Sequence, residues 1–215
     1  MNLTSSIYLG LSVVICIAAS LILRFENKPT VSYQPRGFAF GVSWSVIYVL
    51  AFAFAIVSTF PDFEWENRVP MTVLYGTSFL ACAAWAPLYM QKKQKSAFFV
   101  LIVAFLLSFL STSLFPISIK DYRILLLLPP SLLAGWTGVA ACLSGSQAKF
   151  IPDSTIVLLC VTVFISLFSV VLQNCFILFP VLWALLTQKT FNSDSITSLV
   201  LVLIAIPSAA ALRFR

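Results

Sequence analysis

The side chains able to do chemistry in this chain are few and scattered. Five cysteines, Cys16, Cys82, Cys142, Cys160 and Cys175, accompany no histidine at all in 215 residues. Zinc and related ions need thiolate and imidazole ligands brought close together, commonly as CxxC pairs. Here no such pair occurs, and every cysteine falls inside an apolar segment. Without imidazole the usual axial ligand of haem is also missing, so a tetrapyrrole bound here would be held by packing. No covalent or metal cofactor is expected. Ser43, Ser45, Ser78 and Ser108 lie in apolar runs with no general base near them in sequence, and read as small helix-packing residues. Those runs also lack Asp, Glu, Lys and Arg except at their ends, which argues against a proton relay, an ion-coupled transporter or a membrane hydrolase. The expectation is a protein that is not an enzyme.

Tryptophan is the side chain whose placement stands out. Trp44, Trp85, Trp136 and Trp183 lie within apolar runs, in the patches GVSWSVIY, AAWAPLY, LLAGWTG and PVLWALL, and Trp65 sits in an acidic stretch. Two readings stay open. Indoles settle at membrane interfaces as an aromatic belt. They also line cavities, where a flat apolar face and one N–H donor suit a planar or fused-ring ligand.

The elements carrying these residues are membrane helices. Hydrophobic residues make up 60% of the chain and charged ones 9%, with a mean hydropathy of +1.02, too apolar for a water-soluble fold to cover. A helix needs roughly 20 apolar residues to span the hydrocarbon core. The apolar runs are 6–23, 38–60, 71–90, 97–115 and 124–143, with a long stretch over 155–188 and a last run over 196–212. A single helix over 155–188 would be roughly 50 Å long at about 1.5 Å per residue, well beyond the hydrocarbon core. The polar pair Gln173-Asn174 is therefore expected to turn the chain, with Pro180 near the start of the next helix. Pro129-Pro130 and Gly135 predict a kink or local unwinding in the first half of the fifth helix. The fold class is an all-α, polytopic transmembrane bundle: a five-helix core over 1–150 with two or three further helices over 151–215.

Charge gives the orientation. The net charge is +6, but the basic residues flank apolar runs instead of forming the dense face that nucleic acid requires, so no nucleic-acid partner is expected. Alternating the loops puts Arg24, Lys28, Arg36, Lys92, Lys93, Lys95, Lys149 and Lys189 on one side. Arg68, Lys120, Arg123, Arg213 and Arg215 fall on the other, with the acidic stretch Asp62, Glu64 and Glu66. The first group is expected to face the cytoplasm or its organellar equivalent. No basic residue precedes the first run, so it reads as a retained span and not a secretory signal.

At this point the residues resemble a known family. Pro35-x-Gly37-x-x-Phe40-x-x-x-Trp44-x-x-x-Tyr48 looks like the loop and second helix of the translocator protein, or tryptophan-rich sensory protein, family. Ala84-Trp85-Ala86-Pro87-Leu88-Tyr89 is similar to its third-helix signature. Pro129-x-Ser131-x-x-x-Gly135-Trp136-x-x-Val139-Ala140 resembles the fifth-helix signature of its longer members, and Val181-Leu182-Trp183-Ala184 is similar to the extra C-terminal helices of its extended branch. The resemblance implies a ligand cavity between the first five helices, with Trp44, Tyr48, Trp85 and Trp136 as aromatic walls and Cys82 and Ala140 as smaller wall positions. It implies tetrapyrrole or sterol ligands and a stress-linked sensory or transport role. Two positions depart from the family pattern: Cys82 and Ser144 stand where the family usually has asparagine, so recognition by those amides is lost or replaced.

Two functional classes follow. The first is a non-enzymatic receptor for a hydrophobic, ring-shaped small molecule. The second is a structural accessory subunit of a larger respiratory or photosynthetic membrane complex, with the cavity degenerate or filled by lipid or pigment. Membrane lipid is an expected partner in both, and a homodimer or a larger complex the expected assembly. The setting is a bacterial inner membrane or a mitochondrial or plastid membrane.

Overall fold

The computed structural model describes residues 3–21, 37–60, 65–119, 122–151, 155–188 and 193–214. Arg24, Lys28, Pro35, Arg36, Asp62, Glu64, Lys120, Lys189 and Arg215 lie outside the described residues. Within them the chain forms eight α-helices and no strand: α1 Leu3–Leu21, α2 Gly37–Val57, α3 Arg68–Met90, α4 Gln94–Ser113, α5 Leu128–Gln147, α6 Thr155–Val171, α7 Leu178–Leu186 and α8 Ser193–Arg213. Six helical stretches are long and apolar enough to cross a membrane, ending on α8; α6 and α7 are shorter. The protein is a multi-pass integral membrane protein.

Gln173-Asn174 does turn the chain. Gln173 adopts a φ of 50°, a left-handed conformation that ends a helix, and the Asn174 side chain accepts from the Phe176 backbone N–H. A 3-10 turn over Cys175–Ile177 then leads into α7, whose first turn contains Pro180. Of the kink or local unwinding expected in the first half of the fifth apolar run, the structure shows the unwinding. A 3-10 segment, Tyr122–Leu127, precedes α5, and Pro129 and Pro130 occupy its first turn. Backbone N–H groups there have no intrahelical acceptor, so proline costs nothing and starts the helix.

The bundle is organised around α5. Of its spanning stretch, 78% of residues are buried, against 22–44% for the other five. In lipid the hydrophobic effect does not draw helices together, so contact depends on close packing of small residues and on interhelical hydrogen bonds. The sequence of α5 supplies both. Ser131, Ala134, Gly135, Thr137, Gly138 and Ala141 are buried along it and let neighbours approach. Ser131 Oγ accepts from Asn174 Nδ2 at 2.9 Å, and the Thr137 and Ser108 hydroxyls lie 3.3 Å apart, tying α5 to the α6–α7 turn and to α4.

Around this axis α4 packs on α3 and α5, α1 on α3, and α6 on α8. The backbone of α2 approaches α1, α5 and α7, whereas it meets α3 mainly through aromatic side chains. Described basic residues lie at both ends of the bundle. Lys92, Lys93, Lys95 and Lys149 gather at one end. At the other, buried Arg213 donates to the Pro116 and Ile119 carbonyls at 2.8 and 2.9 Å and lies over the Phe115 ring, fastening α8 to the segment that follows α4.

Candidate functional site

Successive steps of four residues put Phe40, Trp44 and Tyr48 on one stripe of α2. The Trp44 and Tyr48 rings stack, with centroids 5.4 Å apart and planes 27° from parallel. From Tyr48 the ring series crosses to α3, reaching Phe79 at 6.1 Å, then Tyr75 at 5.1 Å from Phe79, and returns to α2 at Phe54, 5.8 Å from Tyr75. At the other end of the stripe, Phe40 meets the edge of Trp136 of α5 at 5.1 Å. The space between α2 and its neighbours α3 and α5 is thus bridged by rings.

Polar groups fix part of this wall. Ser20 Oγ already donates to the Cys16 carbonyl, so the Tyr48 hydroxyl donates to Ser20 Oγ at 2.8 Å; Cys16 Sγ lies 3.5 Å from the same phenol oxygen. Tyr48 is therefore pinned to α1 while its ring faces Trp44. Trp136 is 1% exposed, and its indole N–H has no acceptor among the described residues. The Trp85 indole N–H and the Tyr75 hydroxyl are also buried with no partner among the described residues. Unpaired buried donors are rare, because each costs the free energy of a missing hydrogen bond.

The six positions inferred from resemblance are not equally placed. Trp44 and Tyr48 touch, and Trp136 joins the same stripe through Phe40. Cys82 is buried on α3, one turn beyond Phe79. Trp85 stacks on Tyr89 of its own helix at 5.2 Å, and Ala140 is half-buried on α5.

A cavity of about 230 Å³ lies along the adjoining face of α2, lined by Val42, Ser43, Val46 and Ile47 together with Leu132 of α5 and Trp183 of α7. None of the six expected wall residues lines it. Trp183 closes one side, its indole donating to the Ala39 carbonyl at 3.3 Å and its ring meeting the Phe38 edge at 6.2 Å. Sequence reasoning singled out Trp183 but did not bring it to α2. A lone tryptophan in an apolar run carries no signal of which helix it will face.

The order of these elements, with Trp44 and Tyr48 on α2, Trp85 on α3 and Gly135-Trp136 on the central helix, agrees with comparison at the level of sequence. The model of the TspO/MBR family matches residues 6–149. The chain belongs to the TspO/MBR family. No curated protein and no solved structure matches it. The matched residues contain α1 from its fourth residue through α5 and hence the whole ring series of the TspO/MBR chain, whereas α6, α7 and α8 lie beyond them. The apolar cavity is therefore composite, walled by two helices of the TspO/MBR region and by α7.

Proposed function

We propose that this TspO/MBR-family protein is a non-enzymatic membrane receptor for a flat, hydrophobic ligand, a tetrapyrrole or a sterol, bound along the aromatic stripe of α2 between α3 and α5. The observation that carries the reading is that two buried indole N–H groups in this region, on Trp136 and Trp85, have no acceptor among the described residues. A ligand oxygen would relieve that cost, and a fused-ring body would lie against the Trp44–Tyr48 stack. A carboxylate or carbonyl of a tetrapyrrole or the hydroxyl of a sterol fits this requirement.

The packing of α2 supports the same reading. It is bridged to α3 by side chains, and the cavity beside α5 and α7 leaves it unsupported along a second face. Such a helix can shift to admit a ligand with less loss of packing than α5 could. Trp44, Tyr48 and Trp136 form the principal wall, with Cys82, Trp85 and Ala140 as the remaining wall positions.

Titrating the purified full-length protein in detergent with protoporphyrin, and separately with a sterol analogue, tests the proposal through tryptophan fluorescence. Saturable quenching near one ligand per chain is expected from at least one of them. Linear, non-saturating quenching by both would remove the receptor reading. Recovery of the chain only within a larger complex in mild detergent would favour a structural subunit.

A further inference from the structure

The end of the bundle where α3 and α5 finish and α4 begins holds a basin of about 430 Å³ that the ligand site does not use. Lys92, Lys93, Lys95 and Lys149 line it with Gln94 and Gln147, and no carboxylate is among its described lining residues. Four like charges around one basin repel each other in the absence of an anion.

The backbone sharpens the point. Lys92 and Lys149 have φ of 58° and 61°, left-handed conformations that glycine adopts at lower cost. Each sits just past the end of its helix in the same arrangement. Lys92 N–H donates to the Tyr89 carbonyl and Lys93 N–H to that of Leu88, while Lys149 N–H donates to Ser146 and Phe150 N–H to Gly145. Both helices thus end on a lysine where glycine would be the easier residue, and both lysines border one basin. Lysine at a helix C-terminus gains something from the helix dipole, but that alone does not bring two such ends together.

A second feature adjoins the lysines. Phe98, Phe99 and Phe150 form a cluster with centroids 5.4–5.6 Å apart, and Lys95 Nζ stands 5.5 Å from the Phe150 ring centroid. Phe99 and Phe150 are 58% and 47% exposed. Phe99 lies on α4 one turn inward from Lys95, and Phe150 follows Lys149 just past the end of α5, so in a membrane these exposed faces border the cationic rim on its lipid side.

We infer that this basin binds the headgroup of an anionic phospholipid, with the phosphate held among Lys92, Lys93, Lys95 and Lys149 and the glycerol and upper acyl region lying on the Phe99–Phe150 shelf. The lysines alone would suit any phosphate. The exposed aromatic shelf, continuous with the lipid-facing surface, selects a phosphate that carries acyl chains. Basic pockets between membrane helices on the positive side of a protein have the charge for this task.

Native mass spectrometry of the full-length protein, loaded with equal phosphatidylglycerol and phosphatidylcholine, provides the test. The wild type should retain phosphatidylglycerol preferentially. Lys92→Gly combined with Lys149→Gly removes two charges while keeping a residue suited to the left-handed backbone, so the fold should persist with an unchanged helical circular dichroism spectrum. Roughly fivefold loss of anionic-lipid affinity is expected for each lysine removed, and Phe150→Ala should weaken lipid retention further. The Lys92→Arg, Lys149→Arg pair should keep the preference. Equal retention of the two lipids by the wild type, or an unchanged preference in the folded double-glycine variant, would overturn the inference. So would displacement of the bound lipid by millimolar inorganic phosphate with Phe150→Ala having no effect, since that result describes a soluble-phosphate site.

Discussion

The backbone carbonyl of Ile177 occupies the space that a Cβ at position 135 would need, so Gly135 of α5 is the point at which the α6–α7 turn touches the central helix. Pro180 Cγ and Cδ close the same space at 3.1 and 3.2 Å. Glycine is required here for close approach and not for an unusual backbone angle. Gly135→Ala is expected to push the turn off α5 and destabilise the protein by about 1–3 kcal/mol, the usual cost of overpacking a filled interior. A lowered thermal midpoint in detergent, with altered Trp183 emission, checks it.

Asn174 holds the same turn from the other side. Its amide donates to Ser131 Oγ, its side-chain oxygen accepts from Phe176 N–H, and its carbonyl accepts from Ser169 Oγ at 2.7 Å. Asn174→Ala loses both side-chain bonds in a buried setting and should cost about 1–3 kcal/mol. Faster amide hydrogen exchange over 174–178, with α4 unchanged, is the expected signature.

These contacts also show what the sequence could and could not disclose. The spans were legible because each run of apolar residues is long enough to cross the membrane and ends at proline, glycine or charge. The turn at Gln173-Asn174 was legible because it is the only polar pair in a stretch too long for one helix. The facing of α2 was not: apolar residues surround this helix on every side, so periodicity gives no direction, and the cavity along Val42, Val46 and Ile47 left no trace. The aromatic stripe was found through family motifs, whereas the bridge from Tyr48 to Phe79 and Tyr75 depends on how far α2 stands from α3. Pro129-Pro130 left kink and local unwinding both open, because proline's effect depends on its position in the helix, and here both residues lie in the first turn of α5, directly after a 3-10 segment.

Arg213 illustrates another long-range contact without a local signal. Read from sequence it is a flanking charge, yet it is buried and donates to the carbonyls of Pro116 and Ile119, nearly a hundred residues earlier. Arg213→Met keeps much of the apolar stem but leaves both carbonyls without this donor. A loss of about 1–3 kcal/mol is expected, read as a lowered unfolding midpoint and increased proteolysis between α4 and α5. Arg213→Lys should recover only part of it, because a single ammonium lacks the planar fork.

Tyr48 separates ring from hydroxyl. Tyr48→Phe keeps the stack on Trp44 and loses the bond to Ser20, so stability should fall by about 1 kcal/mol while ligand affinity stays close to wild type. Tyr48→Ala removes the wall itself and should weaken binding substantially. Equal affinity in all three proteins, measured by fluorescence titration, would take Tyr48 out of the site.

Trp136 tests the proposed function most directly, since its indole is fully buried on the central helix with an unpaired N–H. The decisive measurement is the ligand dissociation constant of wild type and Trp136→Phe, obtained by quenching of the remaining tryptophans with protoporphyrin or a sterol analogue. Phenylalanine keeps a ring against Phe40 and removes only the donor. The account predicts saturable binding weakened roughly threefold to tenfold, the worth of one hydrogen bond, with helical content unchanged. An identical dissociation constant in the two proteins would contradict it.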